Sequence, residues 1–436
     1  MKILIITYTF FPDQNPRAFR WSAVVKNLIK YGHAIDIMCA TKKQKKDSFN
    51  GPVIYSIDDW LSNFSQKKND INTRVNEEKH ILPIIKKLKF ITVYFFRALY
   101  KIFRWPDFAC GWLIPAIIGG RSLCKTKDYD WIISVSHPFT SHVVALFIKP
   151  CLPQAKWLVD IGDPFYLLHE PPINNQMLYG YFNKIIESRI LRLANMISVT
   201  TVGTLLEYEK FFTQSRKKIQ VIPPLLSINP QTYRKKTHKK NIITLVFAGT
   251  LYKRLRSPEI LLLCFQKLIE SYNKNKLELH FYGEINDCKS ILDQCPDHVR
   301  PNLFVHGVVS RKKVAVALAE ADILVNIGNN SPLQLPSKIF EYIFYEKPIL
   351  NFVSIKNDSS LKIIKDYPAL TIYKRNKILP QKLIEKIQKF VTHPPIILGK
   401  YKKLIAASHS SERVSSLYNN IFLQNINDIN KKQRYK

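Results

Sequence analysis

Acidic residues are scarce in this sequence. Its 436 residues include 33 Asp and Glu against 66 Lys and Arg, which gives a formal net charge of +33 at pH 7. An excess of this size predicts an anionic partner, because the summed field of the chain attracts negative charge. Nucleic acid, an acidic membrane surface and a phosphorylated ligand all fit this charge, and composition does not choose among them.

Long apolar runs and cysteine motifs are also missing. No stretch of 18 or more apolar residues is free of charge, so the sequence predicts no membrane-spanning helix. No small-residue cleavage site follows the opening MKILIITYTFFPDQ, which we interpret as a first core strand rather than a signal peptide. The seven cysteines are scattered, without a CxxC pair or zinc-ligand spacing, which favours free thiols in a reducing cytoplasm.

What the sequence does contain is a repeating order of core segments. Hydrophobic residues make up 46% of the chain, which is typical of a globular protein. Strand-like apolar runs alternate with amphipathic helical patterns, and this alternation predicts parallel sheets covered by helices, an α/β fold. The series restarts after a proline-rich and then basic segment, so we predict two Rossmann-like, doubly wound domains facing a cleft. The predicted divisions are 1–225, a linker at 226–240, a second domain at 241–405, and a C-terminal helix with a basic tail at 406–436.

Residues 81–104 predict a basic amphipathic helix. At about 100° per residue, Lys89 and Arg97 fall on one face, while Phe95 and Leu99 fall on the opposite face. Such a helix either lies in the interface of an anionic membrane or packs its apolar face on a sheet, with its basic face solvated. The net charge of the chain favours the membrane.

The stretch LPSKIFEYIFYEKPIL at 335–350 predicts a short, half-buried helix. Pro336 suits its first turn, where the missing N–H would be unpaired anyway. Lys338 and Glu341 lie three residues apart on one face. They form either an exposed ion pair worth about 0.3 kcal/mol, or part of a ligand site, because amides and the helix dipole attract anions to a helix N-terminus.

Other polar residues follow strands of the first domain. His137 comes after DWIISVS, and Asp160 and Asp163 lie at the end of KWLVDIG and just beyond it. His137 either contacts a ligand or is a packing residue. Each aspartate either acts on a hydroxyl group or caps a helix or turn. Asp128 and Asp130 form an Asp-x-Asp pattern typical of metal sites, but they precede a strand, away from the edge where ligands bind.

Four stretches, taken in order, resemble glycosyltransferase family 4, which has the GT-B fold. They are MKILIITYTFFPDQNPRAFRWSAVVKNLIKYGHAIDIM, VFAGTLYKRLRSP, HGVVSRKKVAVALAEADILV and LPSKIFEYIFYEKPIL, and the resemblance spans nearly the whole chain. It implies a retaining hexosyltransferase that moves a sugar from a nucleotide-diphosphate donor to an acceptor, with no metal and no other cofactor. It also implies a C-terminal helix that crosses back to the first domain.

The resemblance also implies roles for individual residues, because cations and oriented N–H groups stabilise the charge that develops on a departing diphosphate. The implied catalytic residues are His137, Asp163, Lys253 and Arg254. The implied acceptor-side residues are Pro12, Arg17, Arg20 and Asp160. The implied donor-binding residues are Gly249, Thr250, Arg256, Tyr282, Gly283, Gly307, Ser331, Gln334, Leu335, Pro336, Ser337, Lys338 and Glu341.

Two positions depart from the family pattern. Glu341 matches the second glutamate of the family's Glu-x7-Glu motif, which holds the ribose hydroxyls of the nucleotide. Leu333 stands where the first glutamate would touch the donor sugar, with Ser331 and Gln334 as candidate substitutes. After the first strand, residues 15–17 replace the family's Gly-Gly pair, so arginine side chains take over contacts that the backbone makes elsewhere in the family.

The function that the resemblance implies is transfer of a sugar to a lipid-linked or saccharide acceptor in surface glycan biosynthesis. The expected location is cytoplasmic, peripheral on the inner face of the cytoplasmic membrane, with 81–104 on the anionic surface. One alternative is a GT-B protein of weakened catalysis that acts as a polyanion- or membrane-binding module, which Leu333 favours. Another is a nucleotide-sugar epimerase. The sequence contains no recognisable nucleic-acid-binding module, so nucleic acid is not expected as a partner.

Overall fold

The computed structural model describes the chain in two compact units. It covers residues 1–13, 15–41, 51–61, 100, 102–168, 172–226, 242–271, 276–373, 380–397 and 399–434, with side chains described up to residue 424. Unit 1 comprises Met1–Pro223 and Val414–Lys436, and unit 2 comprises Pro224–Arg413. Most of the predicted membrane helix at 81–104 and nearly all of the predicted linker at 226–240 lie outside the described residues.

Unit 1 contains a parallel sheet of seven strands in the order β3-β2-β1-β4-β5-β6-β7. The central strands are buried on both faces, which explains their continuous apolar runs. The strands are β1 (Lys2–Thr7), β2 (Ala34–Cys39), β3 (Val53–Ser56), β4 (Trp131–Val135), β5 (Lys156–Ile161), β6 (Met196–Val199) and β7 (Ile219–Val221). The helices that connect them are α1 (Pro16–Lys30), α2 (Cys110–Cys124), α3 (Thr140–Ile148), α4 (Gln176–Leu193) and α5 (Val202–Phe211).

Unit 2 contains a second parallel sheet, of six strands in the order β10-β9-β8-β11-β12-β13. Its strands are β8 (Ile243–Ala248), β9 (Leu277–Tyr282), β10 (Leu303–Val305), β11 (Ile323–Ile327), β12 (Ile349–Val353) and β13 (Ala369–Tyr373). Its helices are α6 (Glu259–Ser271), α7 (Lys289–Asp293), α8 (Arg311–Glu320), α9 (Lys338–Phe344), α10 (Ser359–Ile363), α11 (Gln381–Thr392) and α12 (Lys400–His409). Apolar side chains on both faces of this sheet pack against the helices. The two predicted α/β domains are therefore confirmed.

None of the helices in the described part of the chain is long and apolar enough to cross a membrane. The last helix, α13 (Ser411–Arg434), instead returns to unit 1. Val414, Tyr418, Ile421 and Phe422 are buried there, and the Phe422 ring lies 5.1 Å from the ring of Trp131 on β4. The predicted helix that crosses back to the first domain is thus confirmed.

A buried polar network ties α13 to the sheet of unit 1. Asp160 on β5 accepts hydrogen bonds from the Trp21 indole at 2.9 Å, the Ser198 hydroxyl at 2.6 Å and the Tyr418 hydroxyl at 2.7 Å. Arg20 on α1 donates one N–H to the Tyr418 oxygen at 2.9 Å. Because buried charged groups are costly unless they are paired, each member of this network depends on the others.

This network corrects two predicted acceptor contacts. Asp160 is 1% exposed and Arg20 is 4% exposed. The Asp160 carboxylate is occupied by three donors, and Arg20 also donates to the carbonyl oxygens of Ile222 and Pro223. Both side chains therefore face the interior of unit 1 and hold α1, β5 and α13 together.

We expect Tyr418→Phe to lower the free energy of unfolding of unit 1 by about 1–3 kcal/mol, because Arg20 and Asp160 each lose a buried partner. Urea unfolding followed by tryptophan fluorescence measures this change, since all six tryptophans belong to unit 1. Asn420→Ala, at an exposed position of the same helix, is the control and should stay within about 0.5 kcal/mol of wild type. Equal stability of Tyr418→Phe and the control would contradict the network.

Candidate functional site

Three glycines lie at the carboxyl ends of neighbouring strands in unit 2. The Gly249 N–H, after β8, donates to the carbonyl oxygen of Tyr282 at 2.9 Å, and the Gly283 N–H, after β9, donates to that of Gly307 at 2.8 Å. Gly283 has a φ of +124°, and a Cβ there would overlap the carbonyl oxygen of Gly249. The predicted residues Gly249, Tyr282, Gly283 and Gly307 are therefore brought together, and bare backbone forms this part of the edge.

The loop after β8 forms a tight turn that separates its basic residues. Tyr252 and Arg256 pair by two backbone hydrogen bonds, of 3.2 and 2.8 Å. Lys253 and Arg254 lie at the tip of this turn and are exposed. Arg256 instead folds back against the carboxyl edge of the sheet, where its guanidinium is partly buried and donates to the carbonyl oxygen of Thr250 at 3.2 Å.

Asn329, which follows β11, holds the Arg256 guanidinium in place. Its Oδ1 accepts from Arg256 Nε at 3.0 Å and from Arg256 Nη2 at 2.7 Å, and its Nδ2 donates to the carbonyl oxygen of Gln334 at 3.0 Å. Burial lowers the pKa of Arg256 from its ordinary value, while nearby tyrosines and Asp358 act in the opposite direction. The cation loses solvation at this position, so an anionic ligand would stabilise it.

Helix α9 is anchored to the same edge by Tyr342. The buried Tyr342 hydroxyl accepts from the Ala248 N–H at 2.9 Å and donates to the Ala248 carbonyl oxygen at 3.2 Å, at the last residue of β8. On the first turn, Lys338 Nζ lies 2.7 Å from Glu341 Oε2, so the ion pair considered from the sequence is present. The Glu341 side chain is 15% exposed and that of Lys338 is 38% exposed.

The segment that leads into α9 contains the remaining predicted donor residues. Ser331 Oγ accepts from the Leu333 N–H at 3.3 Å, Leu335 packs against the core, and Pro336 is buried. The Ile339 N–H donates to the Pro336 carbonyl at 3.0 Å. The Ile339 amide is therefore engaged at the start of the helix, and the amides of Ser337 and Lys338 precede it.

In unit 1, three predicted residues lie at the carboxyl ends of the neighbouring strands β4 and β5. His137 follows β4 and is partly exposed, with its ring 5.3 Å from that of Phe108. The Arg17 guanidinium rests directly on Gly162, where a Cβ would overlap it. Asp163, the next residue, is also partly exposed. A cation, an imidazole and a carboxylate thus share one edge of the sheet.

The start of α1 explains how Arg17 reaches this position. Asn15 is the N-cap, and its Oδ1 accepts from the N–H groups of Arg17 at 3.0 Å and Ala18 at 2.9 Å. The Thr9 hydroxyl bonds to the same oxygen at 3.2 Å. Pro12 lies in the loop between β1 and this cap and is partly buried. The residues that replace a Gly-Gly pair therefore form a capped helix start that presents an arginine.

Glu187 on α4 fixes the loop that carries Asp163. Its carboxylate is 1% exposed, and it accepts from the Tyr166 N–H at 2.8 Å and from the Tyr208 hydroxyl on α5. Burial raises the pKa of Glu187 to about 7, although these hydrogen bonds and one from the Phe165 N–H lower it in part. Nothing in the helical spacing of α4 distinguishes this glutamate from a solvated one, and the sequence analysis missed it.

Asp128 and Asp130 lie at the opposite end of the sheet, as predicted. They line a cavity of about 620 Å³ at the amino ends of β1 and β4, and Asp130 Oδ2 accepts from the Lys2 N–H at 2.7 Å. Within the described residues, no group of three or more His, Cys, Asp or Glu side chains is arranged to hold a metal ion.

Solved structures of glycosyltransferases have the same fold. No protein-family model matches the chain, and no curated protein matches it by sequence. HepE from Anabaena in complex with UDP-glucose aligns over 97% of this chain and 100% of its own, with a TM-score of 0.59 and 10% identity. A glycosyltransferase from Rickettsia africae aligns over 97% of both chains, with a TM-score of 0.60 and 10% identity. The galactosyltransferase WaaB, of the lipopolysaccharide outer core, aligns over 98% of this chain and 100% of its own, with a TM-score of 0.58 and 11% identity. The predicted GT-B fold is confirmed.

We expect the stability of unit 1 to fall as pH rises from about 4.5 to 7, since the folded state holds the Glu187 proton more tightly than the unfolded chain. This contribution to the free energy of unfolding is fully present below the unfolded pKa and is lost as pH rises through the folded pKa; it is about 3 kcal/mol in all. Glu187→Gln should remove this dependence, although the amide disturbs the donors around it. Urea unfolding across this pH range measures the slope.

Glu207→Gln, on the neighbouring helix α5, is the control and should keep the wild-type slope. An unchanged slope in Glu187→Gln would show that another group titrates.

Proposed function

We propose that this chain transfers a sugar from a nucleotide-diphosphate donor to a lipid-linked or saccharide acceptor in surface glycan biosynthesis. The fold supports this proposal, because structures that share it are glycosyltransferases and one of them binds UDP-glucose. The edge of unit 2 supports it more specifically. Arg256 is a cation held beside partly exposed glycine backbone, and that combination suits a diphosphate.

The proposal rests on Arg256, because its guanidinium is held in place by bonds that engage only some of its N–H groups. A guanidinium has five N–H groups, and the bonds to Asn329 and Thr250 engage three of them. The others are available to phosphate oxygens. As the bond to the sugar breaks, charge grows on the departing diphosphate, and a cation already in position stabilises it without reorganisation. We therefore assign the main contact to Arg256, with Lys253 and Arg254 as outer cations.

Glu341 is the proposed contact to the nucleotide ribose. A carboxylate accepts two hydrogen bonds from a vicinal diol, and Glu341 lies one turn beyond the start of α9, which Tyr342 anchors at the end of β8. Lys338 holds one carboxylate oxygen in place. The carboxylate would therefore already be oriented when the donor binds. Leu333 stands where the family has a glutamate that touches the sugar, and Ser331 and Gln334 would make that contact instead.

On the acceptor side we propose that Arg17, His137 and Asp163 act together, with Pro12 shaping the loop. Asp163 would orient or deprotonate the acceptor hydroxyl. In a retaining, metal-independent transfer the donor phosphate oxygen can take that proton, so Asp163 would then only position the hydroxyl. We place the enzyme on the inner face of the cytoplasmic membrane, where residues 81–104 would contact anionic lipid.

A polyanion-binding protein without catalysis is the second candidate, and Leu333 favours it. Both candidates need Arg256, but only the enzyme needs a nucleotide and turnover. Hydrolysis and transfer assays with a panel of UDP- and GDP-sugars separate them. Nucleotide binding with turnover supports the enzyme, whereas heparin binding without either supports the second candidate.

We expect Arg256→Ala to weaken binding of UDP or GDP by about tenfold or more, since a charged hydrogen bond contributes about 1.5–3 kcal/mol. Isothermal titration calorimetry measures the change. Arg300→Ala is the matched control, because Arg300 also donates to backbone carbonyl oxygens in unit 2, those of Cys295 and Asp293. Equal affinity of Arg256→Ala and wild type would refute the diphosphate contact.

We expect Glu341→Ala to weaken nucleotide binding by about tenfold, the loss of one charged hydrogen-bonding group. The deficit should shrink with a 2′,3′-dideoxy nucleotide, which lacks the diol. A deficit of the same size with both nucleotides would mean that Glu341 acts through Lys338 rather than on the ribose.

A further inference from the structure

Helix α4 presents an unusual outward face to solvent. Met177 is fully exposed and Tyr181 is 81% exposed, and the neighbouring apolar side chains are about half exposed. Three cations share this side of the helix. We name as the α4 face the residues Met177, Leu178, Tyr181, Phe182, Lys184, Ile185, Arg189 and Arg192.

The opposite side of α4 anchors the helix, so the exposed side chains belong to an ordered element. Asn183, Glu187, Ile190 and Leu191 are buried against unit 1. Asn175 caps the N-terminus by accepting from the Leu178 N–H at 3.3 Å. The apolar side chains on the α4 face are therefore not needed to hold the helix in place.

Residues 103–105 extend the apolar part of this face. The Tyr179 hydroxyl donates to the Phe103 carbonyl oxygen at 3.0 Å, and the Trp105 indole donates to Asn183 Oδ1 at 3.0 Å. The Trp105 and Phe182 rings are 4.8 Å apart. Phe103 itself is 59% exposed, so an aromatic side chain from outside α4 joins the same surface.

Charge on the helix has a single sign on its outward side. The one acidic residue of α4, Glu187, is buried on the opposite side. Along the α4 face most of the apolar side chains lie in the first half, Lys184 and Ile185 lie in the middle, and Arg189 and Arg192 lie in the second half. Aromatic and aliphatic side chains beside cations, without acids, match the boundary between acyl chains and anionic headgroups.

We propose that the α4 face docks on an anionic lipid bilayer, with Met177, Leu178 and Tyr181 entering the acyl boundary and Arg189 and Arg192 contacting lipid phosphates. A second copy of the chain fits less well, because two such faces would bring like charges together. An acidic protein would satisfy the cations but leaves the protruding Met177 and Tyr181 without a hydrophobic environment. This inference extends the proposed action on a membrane-borne acceptor to a surface outside 81–104.

The test is co-sedimentation of the full-length protein with phosphatidylcholine vesicles that contain phosphatidylglycerol. Wild type should bind, and Met177→Glu/Tyr181→Glu should lower its vesicle partition coefficient at least tenfold, since apolar burial is lost and acid faces an anionic surface. Arg189→Ala/Arg192→Ala should lower it by about fivefold for each cation removed. Pure phosphatidylcholine vesicles should bind wild type more weakly.

Ile396→Glu/Leu404→Glu is the matched control. Both residues are exposed in unit 2, and the change in charge is the same, so vesicle binding should fall by much less. Circular dichroism checks that every variant is folded, and calorimetry with UDP checks the proposed donor site independently. If wild type binds vesicles but does not bind UDP, the result would support the assignment of the α4 face and would count only against the donor site.

Two outcomes would overturn the assignment to lipid. One is wild-type binding to vesicles that Met177→Glu/Tyr181→Glu leaves unchanged. The other is a wild-type dimer that the same variant dissociates, without vesicle binding by either protein, which would assign the face to a second copy. Analytical ultracentrifugation measures the oligomeric state.

Discussion

Asn329 fixes the Arg256 guanidinium at the carboxyl edge of the second sheet by accepting hydrogen bonds from two of its N–H groups. This contact joins the turn after β8 to the loop after β11, and that loop leads into α9. Tyr342 joins the same helix back to the end of β8. The turn after β8, the loop after β11 and helix α9 are therefore held in fixed positions relative to one another. The glycine backbone lies beside this rigid group. The proposed chemistry depends on this rigidity, because stabilisation of a leaving group requires donors that are already oriented.

Unit 1 uses similar side chains in a different way. Arg20 and Asp160 have the charges of a binding site, but the Arg20 Nη atoms and the Asp160 carboxylate are hydrogen-bonded within the fold. Arg17, one helical turn earlier, and Asp163, three residues later, remain at the surface of the edge. The same region of unit 1 therefore carries both kinds of residue. The pleat and the turn that follows decide which side chain is interior and which is presented.

The fold could be predicted from the sequence because it is recorded locally, in apolar runs and helical periods that repeat along the chain. The short edge strand β3, VIYS, is only partly buried and has too weak a pattern to be predicted. Which basic residue faces the glycines could not be predicted, because the backbone pairing of Tyr252 with Arg256 sets that direction. The role of Asp160 depends on Tyr418, 258 residues away in sequence. Asn329 could have been considered from the sequence, because it is one of two asparagines that closely follow a strand. Its pairing with Arg256, on another loop, could not have been predicted.

The return of α13 to unit 1 has a consequence for synthesis on the ribosome. Unit 2 is continuous in sequence, whereas unit 1 needs Tyr418 and its neighbours, which emerge only after unit 2. Until Tyr418 emerges during translation, Arg20 and Asp160 lack the hydroxyl that they share in the complete unit, although the segment of unit 2 is already available to fold. The buried network of unit 1 therefore closes only after the whole of unit 2 has been synthesised.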